Sequence, residues 1–226
     1  MSSLASEISL DIDFNKKDKV YNHMDIIPFM NSFDKLASVY NLIRGNTKGE
    51  YKLIKRSIQL RKNQRVLDVG GGTGLIAAQL ANEVKEVVVL DVSKKMLDKI
   101  KDTRIKKKIG FAQRIPFKKE DFDLVCLVDA FHHFTNGHPK EEWKEQLEIC
   151  SKEILRVLKK DGQLVIVEFN PQTFIGGLIQ FLENKIMHFG SQFYQPNQLR
   201  ELFESNCNLE IFNSKSYCYA LKITKK

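Results

Sequence analysis

Residues 66–75 read Val66-Leu67-Asp68-Val69-Gly70-Gly71-Gly72-Thr73-Gly74-Leu75. An apolar run that breaks into a cluster of glycines reads as a buried strand, a tight turn and the start of a helix. Gly70, Gly72 and Gly74 alternate, with Gly71 between the first two. Bare main chain there lets a ligand lie against backbone N–H groups, because a side chain would stand in its way. The spacing is G-x-G-x-G. A dinucleotide-binding turn needs G-x-G-x-x-G, and Leu75 stands where that pattern has its last glycine.

Working outward, strand and helix patterns alternate on the C-terminal side. Strands are expected at Arg65–Val69, Glu86–Leu90, Lys108–Ala112, Phe122–Val128 and Gln163–Glu168. Helices are expected at Thr73–Asn82, from the N-cap Ser93 through Ile100, and from Pro139 to about Leu158, with Gly162 just beyond its end. Such alternation gives parallel strands joined by crossover helices on both faces of a sheet. The chain then changes character. Phe174–Phe189 carries apolar residues at helical spacing, and Gln195–Ser205 reads as a further helix. Leu209–Ser214 and Tyr217–Ile223 are strand-like and joined by only Lys215-Ser216, so they can pair only as an antiparallel hairpin. On the N-terminal side, helices are expected within 26–43 and over Lys48–Leu60. Residues 1–25 read as a flexible tail, leaving 26–226 as one domain.

The chain has 226 residues, 42% of them hydrophobic and 28% charged, which is ordinary for a globular protein. No apolar run approaches the ~20 residues of a membrane span. The N-terminus carries Glu7, Asp11 and Asp13 and no basic-then-apolar segment, so no secretory signal is expected. Cys126, Cys150, Cys207 and Cys218 form no CxxC pair, which fits a reduced, cytoplasmic protein. The net charge is +8. Its lysines come in small groups expected at element ends, without interleaved aromatics, so they read as solvated surface rather than a nucleic-acid site. No Cys/His spacing points to a metal.

Several positions beyond the glycine turn bear chemistry. Asp91 ends the second strand, where an acid in a nucleoside-binding sheet accepts both ribose hydroxyls. Asp129, His132 and His133 lie at the carboxyl end of the fourth strand, where open parallel sheets bind ligands. The histidines could transfer a proton near neutral pH or simply flank a ligand. Glu168 ends the fifth strand, as a base or as a satisfied structural acid.

The glycine spacing, with Asp68 before it, resembles the first motif of the class I S-adenosylmethionine-dependent methyltransferases. Other stretches are similar to motifs of that family: Asp91-Val92-Ser93-Lys94-Lys95-Met96-Leu97, Gly110-Phe111-Ala112-Gln113-Arg114-Ile115-Pro116-Phe117, Phe122-Asp123-Leu124-Val125 with Phe131-His132-His133-Phe134, and Arg156-Val157-Leu158-Lys159. Phe33-Asp34-Lys35-Leu36-Ala37-Ser38-Val39-Tyr40-Asn41 resembles the helix before the core in the ubiquinone/menaquinone-biosynthesis C-methyltransferases, the branch with which the likeness is strongest. The resemblance implies an α/β fold: a Rossmann-like, seven-stranded, mostly parallel sheet with helices on both faces and an antiparallel C-terminal hairpin. It implies S-adenosyl-L-methionine as cofactor and S-adenosyl-L-homocysteine as product. The cofactor site it implies comprises Tyr40, Asp68, Gly70, Gly71, Gly72, Gly74, Asp91, Val92, Met96, Ala112, Gln113 and Asp129. Met96 could equally be helix core, and Tyr40 an ordinary amphipathic position. Phe111 stands where the family commonly has an aspartate that meets adenine. His132, His133 and Glu168 are the candidate catalytic groups. The apolar segment at about 171–194 is expected to form a lid over a small or lipid-like acceptor, methylated at carbon or oxygen, with peripheral membrane contact. Alternatives are a non-catalytic cofactor-binding scaffold and a methyltransferase acting on another small molecule or a macromolecule. The macromolecular reading lacks the N/D-P-P-Y/F tetrapeptide that amino-group chemistry would use.

Overall fold

A computed structural model describes residues 33–185, 190–203, 207–213 and 217–226. The expected N-terminal tail lies outside them. Residues 33–36 are helical, and two helices follow, α1 (Tyr40–Arg44) and α2 (Lys48–Ser57). The core then alternates: β1 (Arg65–Val69), α3 (Leu75–Leu80), β2 (Glu86–Asp91), α4 (Lys94–Asp98), β3 (Ile105–Ile109), β4 (Phe122–Val128). After one-turn 3-10 helices at Phe131–His133 and Lys140–Glu142 come α5 (Trp143–Val157), β5 (Leu158–Phe169), α6 (Phe174–Lys185), α7 (Pro196–Glu201), β6 (Cys207–Asn213) and β7 (Cys218–Lys225).

The strands form one seven-stranded sheet in the order β3-β2-β1-β4-β5-β7-β6. The first five are parallel, and β7 runs antiparallel to both β5 and β6. Two apolar layers cover its faces, because successive strand residues point to opposite sides. Leu67, Val69, Leu90, Val125 and Leu127 pack with α5 and α7 residues such as Cys150, Ile154 and Leu199. Val66, Val87, Val89, Leu124 and Cys126 pack with α2 and α3 residues such as Ile54, Ala77 and Leu80.

Several boundaries differ from the sequence expectation, three of them for a physical reason. The third strand is Ile105–Ile109, not Lys108–Ala112, and Lys106, Lys107 and Lys108 lie within it rather than at an element end. It is an edge strand, where lysines blunt pairing with other chains and hide the apolar alternation. Helix α5 ends at Val157, so Gly162 falls inside a longer β5 in place of the helix terminus. Helix α7 stops at Glu201 after a capping box formed by Gln195 and Gln198.

Candidate active site

The parallel strands direct their carboxyl ends to one edge, where β1 and β4 diverge to different neighbours. Crossovers part there and leave a crevice. A cavity of about 550 Å³ opens at that edge. The glycine turn after β1, the Asp91 end of β2, the loop after β4 and helix α6 all line it.

At one end the main chain is the wall. Gly70 and Gly72 have positive φ (70° and 54°), the region glycine enters without strain. A Cβ on Gly70 would stand 2.7 Å from the Ala130 Cβ, whereas one on Gly72 would meet only Tyr40, at 4.0 Å. Gly72 therefore presents an open cradle with Tyr40 across from it. The Gly72 N–H donates to Asp91 Oδ2 at 2.8 Å, and the Ser93 N–H donates to Asp91 Oδ1 at 2.8 Å. One carboxylate thus ties the glycine turn to the second strand. Burial pushes the Asp91 carboxyl up to about 6, against the pull of these two N–H donors. Val92, Met96, Phe111 and Ala112 continue the wall as an apolar slot. The Gln113 amide nitrogen is committed to the Phe134 carbonyl at 3.0 Å.

Helices before the core close over this end. Arg44 pairs with Asp129 and, at 3.1 Å, with Glu50. The Ser93 hydroxyl donates to Asp34 at 2.5 Å, and the Thr73 hydroxyl to Asn41 at 2.5 Å. Asp129 itself has φ 49°, in the left-handed region that aspartate tolerates better than most residues. Its Oδ1 is buried without a hydrogen-bond partner among the described residues. Burial lifts its carboxyl to about 7, with Arg44 opposing.

The other end is built around His132, only 1% exposed. Its Nδ1 lies 2.5 Å from Glu168 Oε2, and its Nε2 lies 3.6 Å from Glu183 Oε2 on α6. Burial pulls the imidazole down, but Glu168, with Glu183 and Asp129 behind it, outweighs burial and raises it to about 9. His133 goes the other way, held well below the usual range by burial and by His132. Phe33, Leu36, Phe169, Ile175, Ile179 and Leu182 make the surrounding wall apolar.

Comparison with known proteins agrees with this arrangement. A family model described as "Methyltransferase domain" matches residues 67–166. The chain is 32% identical over 157 residues to the ubiquinone/menaquinone biosynthesis C-methyltransferase UbiE of Pseudomonas entomophila, covering 62% of this chain and 57% of that protein. It is 28% identical over 144 residues to an uncharacterized methyltransferase, YcgJ, of Bacillus subtilis, covering 60% and 53%. Residues 67–166 thus match a methyltransferase domain, and the chain is similar to these methyltransferases over about three fifths of its length. Solved structures show the same fold. The YcgJ protein superposes with TM-score 0.64 at 16% identity, over 78% of this chain and 97% of that one. A methyltransferase from Thermotoga maritima gives TM-score 0.66 at 19% identity, over 90% and 99%. The chain spans just over half the length of the curated relatives it matches.

Around this cavity the expected residues separate into two groups. Tyr40, Gly70, Gly72, Asp91, Val92, Met96, Ala112, Gln113, Asp129, His132 and His133 all line the cavity. Asp68, Gly71, Gly74 and Glu168 do not. Asp68 sits one residue inside β1, paired in register with Val89 and Cys126, so its carboxyl lies beneath the turn, 1% exposed. Burial, and Asp91 beyond it, raise that carboxyl to about 7. Gly71 is glycine because a Cβ would come within 2.6 Å of Asp68 Oδ2. Gly74 is the left-handed N-cap of α3, packed against Ile100. Glu168 is 1% exposed and accepts from the N–H groups of Ala130 (3.1 Å) and Phe131 (2.7 Å) as well as facing His132. These contacts hold the loop after β4 and the His132 ring in place, a positioning part where a base was expected.

Arg44, Glu183 and Phe169 line the cavity unforeseen. Arg44 lies 85 positions from its partner Asp129. An acid standing among the apolar positions of α6 was the available signal for Glu183.

Proposed function

We propose that the chain transfers a methyl group from S-adenosylmethionine to an apolar, lipid-like acceptor at carbon or oxygen. One observation carries the reading: a single cavity joins a nucleoside-shaped end, where Gly72 and Asp91 meet at 2.8 Å, to an apolar end walled by α6. The residues fit the cofactor. Asp91 keeps lone pairs for two ribose hydroxyls, Met96, Val92 and Phe111 offer an apolar slot for adenine, and the orphaned Asp129 Oδ1 beside Arg44 matches an α-ammonium and α-carboxylate. The bound cofactor supplies an electrophilic methyl on a sulfonium, which departs as a neutral thioether.

The chain's own part is alignment and exclusion of water. Tyr40 and Arg44 cover the cofactor end, and Phe169, Ile179 and Leu182 wall the acceptor end. The UbiE relatives point to C-methylation of a quinone-like ring as the finer reading. Helix α6 also presents apolar side chains outward: Phe174 is 87% and Phe181 56% exposed, with Leu42 of α1 at 85%. Such a surface serves peripheral contact with a membrane that holds the acceptor. No helix among the described residues is long and apolar enough to cross a membrane.

The test is single-turnover transfer of labelled methyl from S-adenosylmethionine to quinol, phenol and fatty-chain acceptors, with the methylated atom located by mass spectrometry. Transfer to apolar acceptors is expected. Transfer confined to polar amines, or none at all with the cofactor bound, contradicts the proposal.

A further inference from the structure

Several buried polar atoms of residues lining the cavity have no hydrogen-bond partner among the described residues, Asn136 Oδ1 and His138 Nε2 among them. Two more, His132 Nε2 and Glu183 Oε2, face each other as a loose ion pair 3.6 Å apart, beyond ordinary hydrogen-bond distance. Buried polar atoms in a native structure are nearly always paired, and leaving one unpaired costs about 1–3 kcal/mol. Both belong to side chains lining the cavity. They come from separate elements, the turn after β4 and helix α6. Glu168 fixes the imidazole from behind, so Nε2 has one direction available to it.

Resting on the methyl-transfer reading, we propose that His132 and Glu183 form a clamp for one hydroxyl group on an otherwise apolar acceptor, a phenol or enol. The acceptor oxygen would take a hydrogen bond from His132 Nε2–H and give its own proton to the Glu183 carboxylate. A point at ordinary hydrogen-bond distance, ~2.8 Å, from both atoms exists without separating them, because two such distances exceed the 3.6 Å gap. The charge pattern selects against amines. An ammonium would be drawn to Glu183 but would face His132, which its carboxylate neighbours keep protonated at neutral pH. A ketone or methyl ether could accept from His132 but would leave Glu183 unmet.

The chemistry balances. The O–H bond breaks and its proton passes to Glu183. The electron pair released stays on oxygen or moves to the conjugated carbon, which takes the methyl as the S–CH3 bond breaks and sulfur keeps its pair. At carbon, the ring proton then passes to a water molecule and Glu183 returns the first proton to the oxygen, which restores the enol and the free carboxylate.

The test uses the full chain loaded with S-adenosylhomocysteine and three probes that share one octyl chain: 4-octylphenol, 4-octylanisole and 4-octylbenzylamine. Calorimetry should show the phenol binding ~10-fold or more tightly than the other two, the worth of hydrogen bonds to charged partners. In Glu183→Gln, an isosteric change, the phenol should fall towards the anisole while the anisole stays within about twofold. Glu183→Ala should do the same if the change is chemical rather than steric. Equal binding of the three probes, a preference for the amine, no measurable phenol binding, or an unchanged phenol affinity in Glu183→Gln each overturns the clamp. Titration with S-adenosylhomocysteine alone separates the two claims: its failure removes the methyltransferase reading, whereas its success with an indifferent probe series removes only the clamp.

Discussion

The two ends of the cavity are made differently. The end proposed for the cofactor is centred on main chain: glycines in left-handed conformation and N–H groups tied to one strand-end carboxylate, with Tyr40 and Arg44 brought over them from outside the core. The end proposed for the acceptor is side chain, gathered from the turn after β4, the end of β5 and helix α6. Backbone sites tolerate little change but recognise what every family member shares. Side-chain sites can be rebuilt residue by residue, which is how one fold takes many acceptors.

That difference can be broken most severely at Gly70. An alanine there adds a Cβ 2.7 Å from the Ala130 Cβ at a φ of 70°. Left-handed strain and overpacking together should cost about 3 kcal/mol, read as a lower denaturant midpoint at unchanged slope. A loss under ~0.5 kcal/mol would mean that the turn is not tightly packed.

An effect of similar size should appear at the other end, spread over a range of pH. The folded pKa of His132 is raised from 6.5 to about 9. The stability it contributes is therefore complete below pH 6.5 and is lost as pH rises through about 9. At about 1.4 kcal/mol per unit, the loss is on the order of 3 kcal/mol. Glu168→Gln keeps the acceptor oxygen for the Ala130 and Phe131 N–H groups but removes the charge beside His132. The variant's stability should vary less than the wild type's between pH 6.5 and 9, as urea unfolding at several pH values would show. Identical pH profiles would place the proton elsewhere.

The smallest expected effect on folding is at the outer face of α6. Phe174→Ser and Leu178→Ser change residues 87% and 46% exposed, so stability should move by less than ~0.5 kcal/mol. Co-sedimentation with anionic liposomes should nevertheless fall several-fold. Equal partitioning of variant and wild type would remove the membrane role of α6.

The same contrast explains what the sequence disclosed. The parallel sheet, its antiparallel end and the meeting of the glycine turn with Asp91 were legible, because each rests on local spacing and strand-end chemistry. Asp68 and Glu168 carried the right chemistry, but a one-residue difference in depth or a pair of nearby N–H groups decided that they support the site rather than line it. Arg44 and Glu183 were not legible, since each meets its partner only after distant parts of the chain have packed. The lysines of β3 misled for a related reason: an edge strand shows its charged face where a central strand would show alternation.

The central claim is that the main chain at Gly72 and the Asp91 carboxylate jointly hold one nucleoside. Calorimetric titration of S-adenosylhomocysteine into wild type and Asp91→Ala tests it most directly. The account predicts saturable one-to-one binding to the wild type and a loss of ~100-fold or more in the variant, as expected for two hydrogen bonds to a charged group. Wild type that does not bind, or a variant that binds equally well, would contradict it.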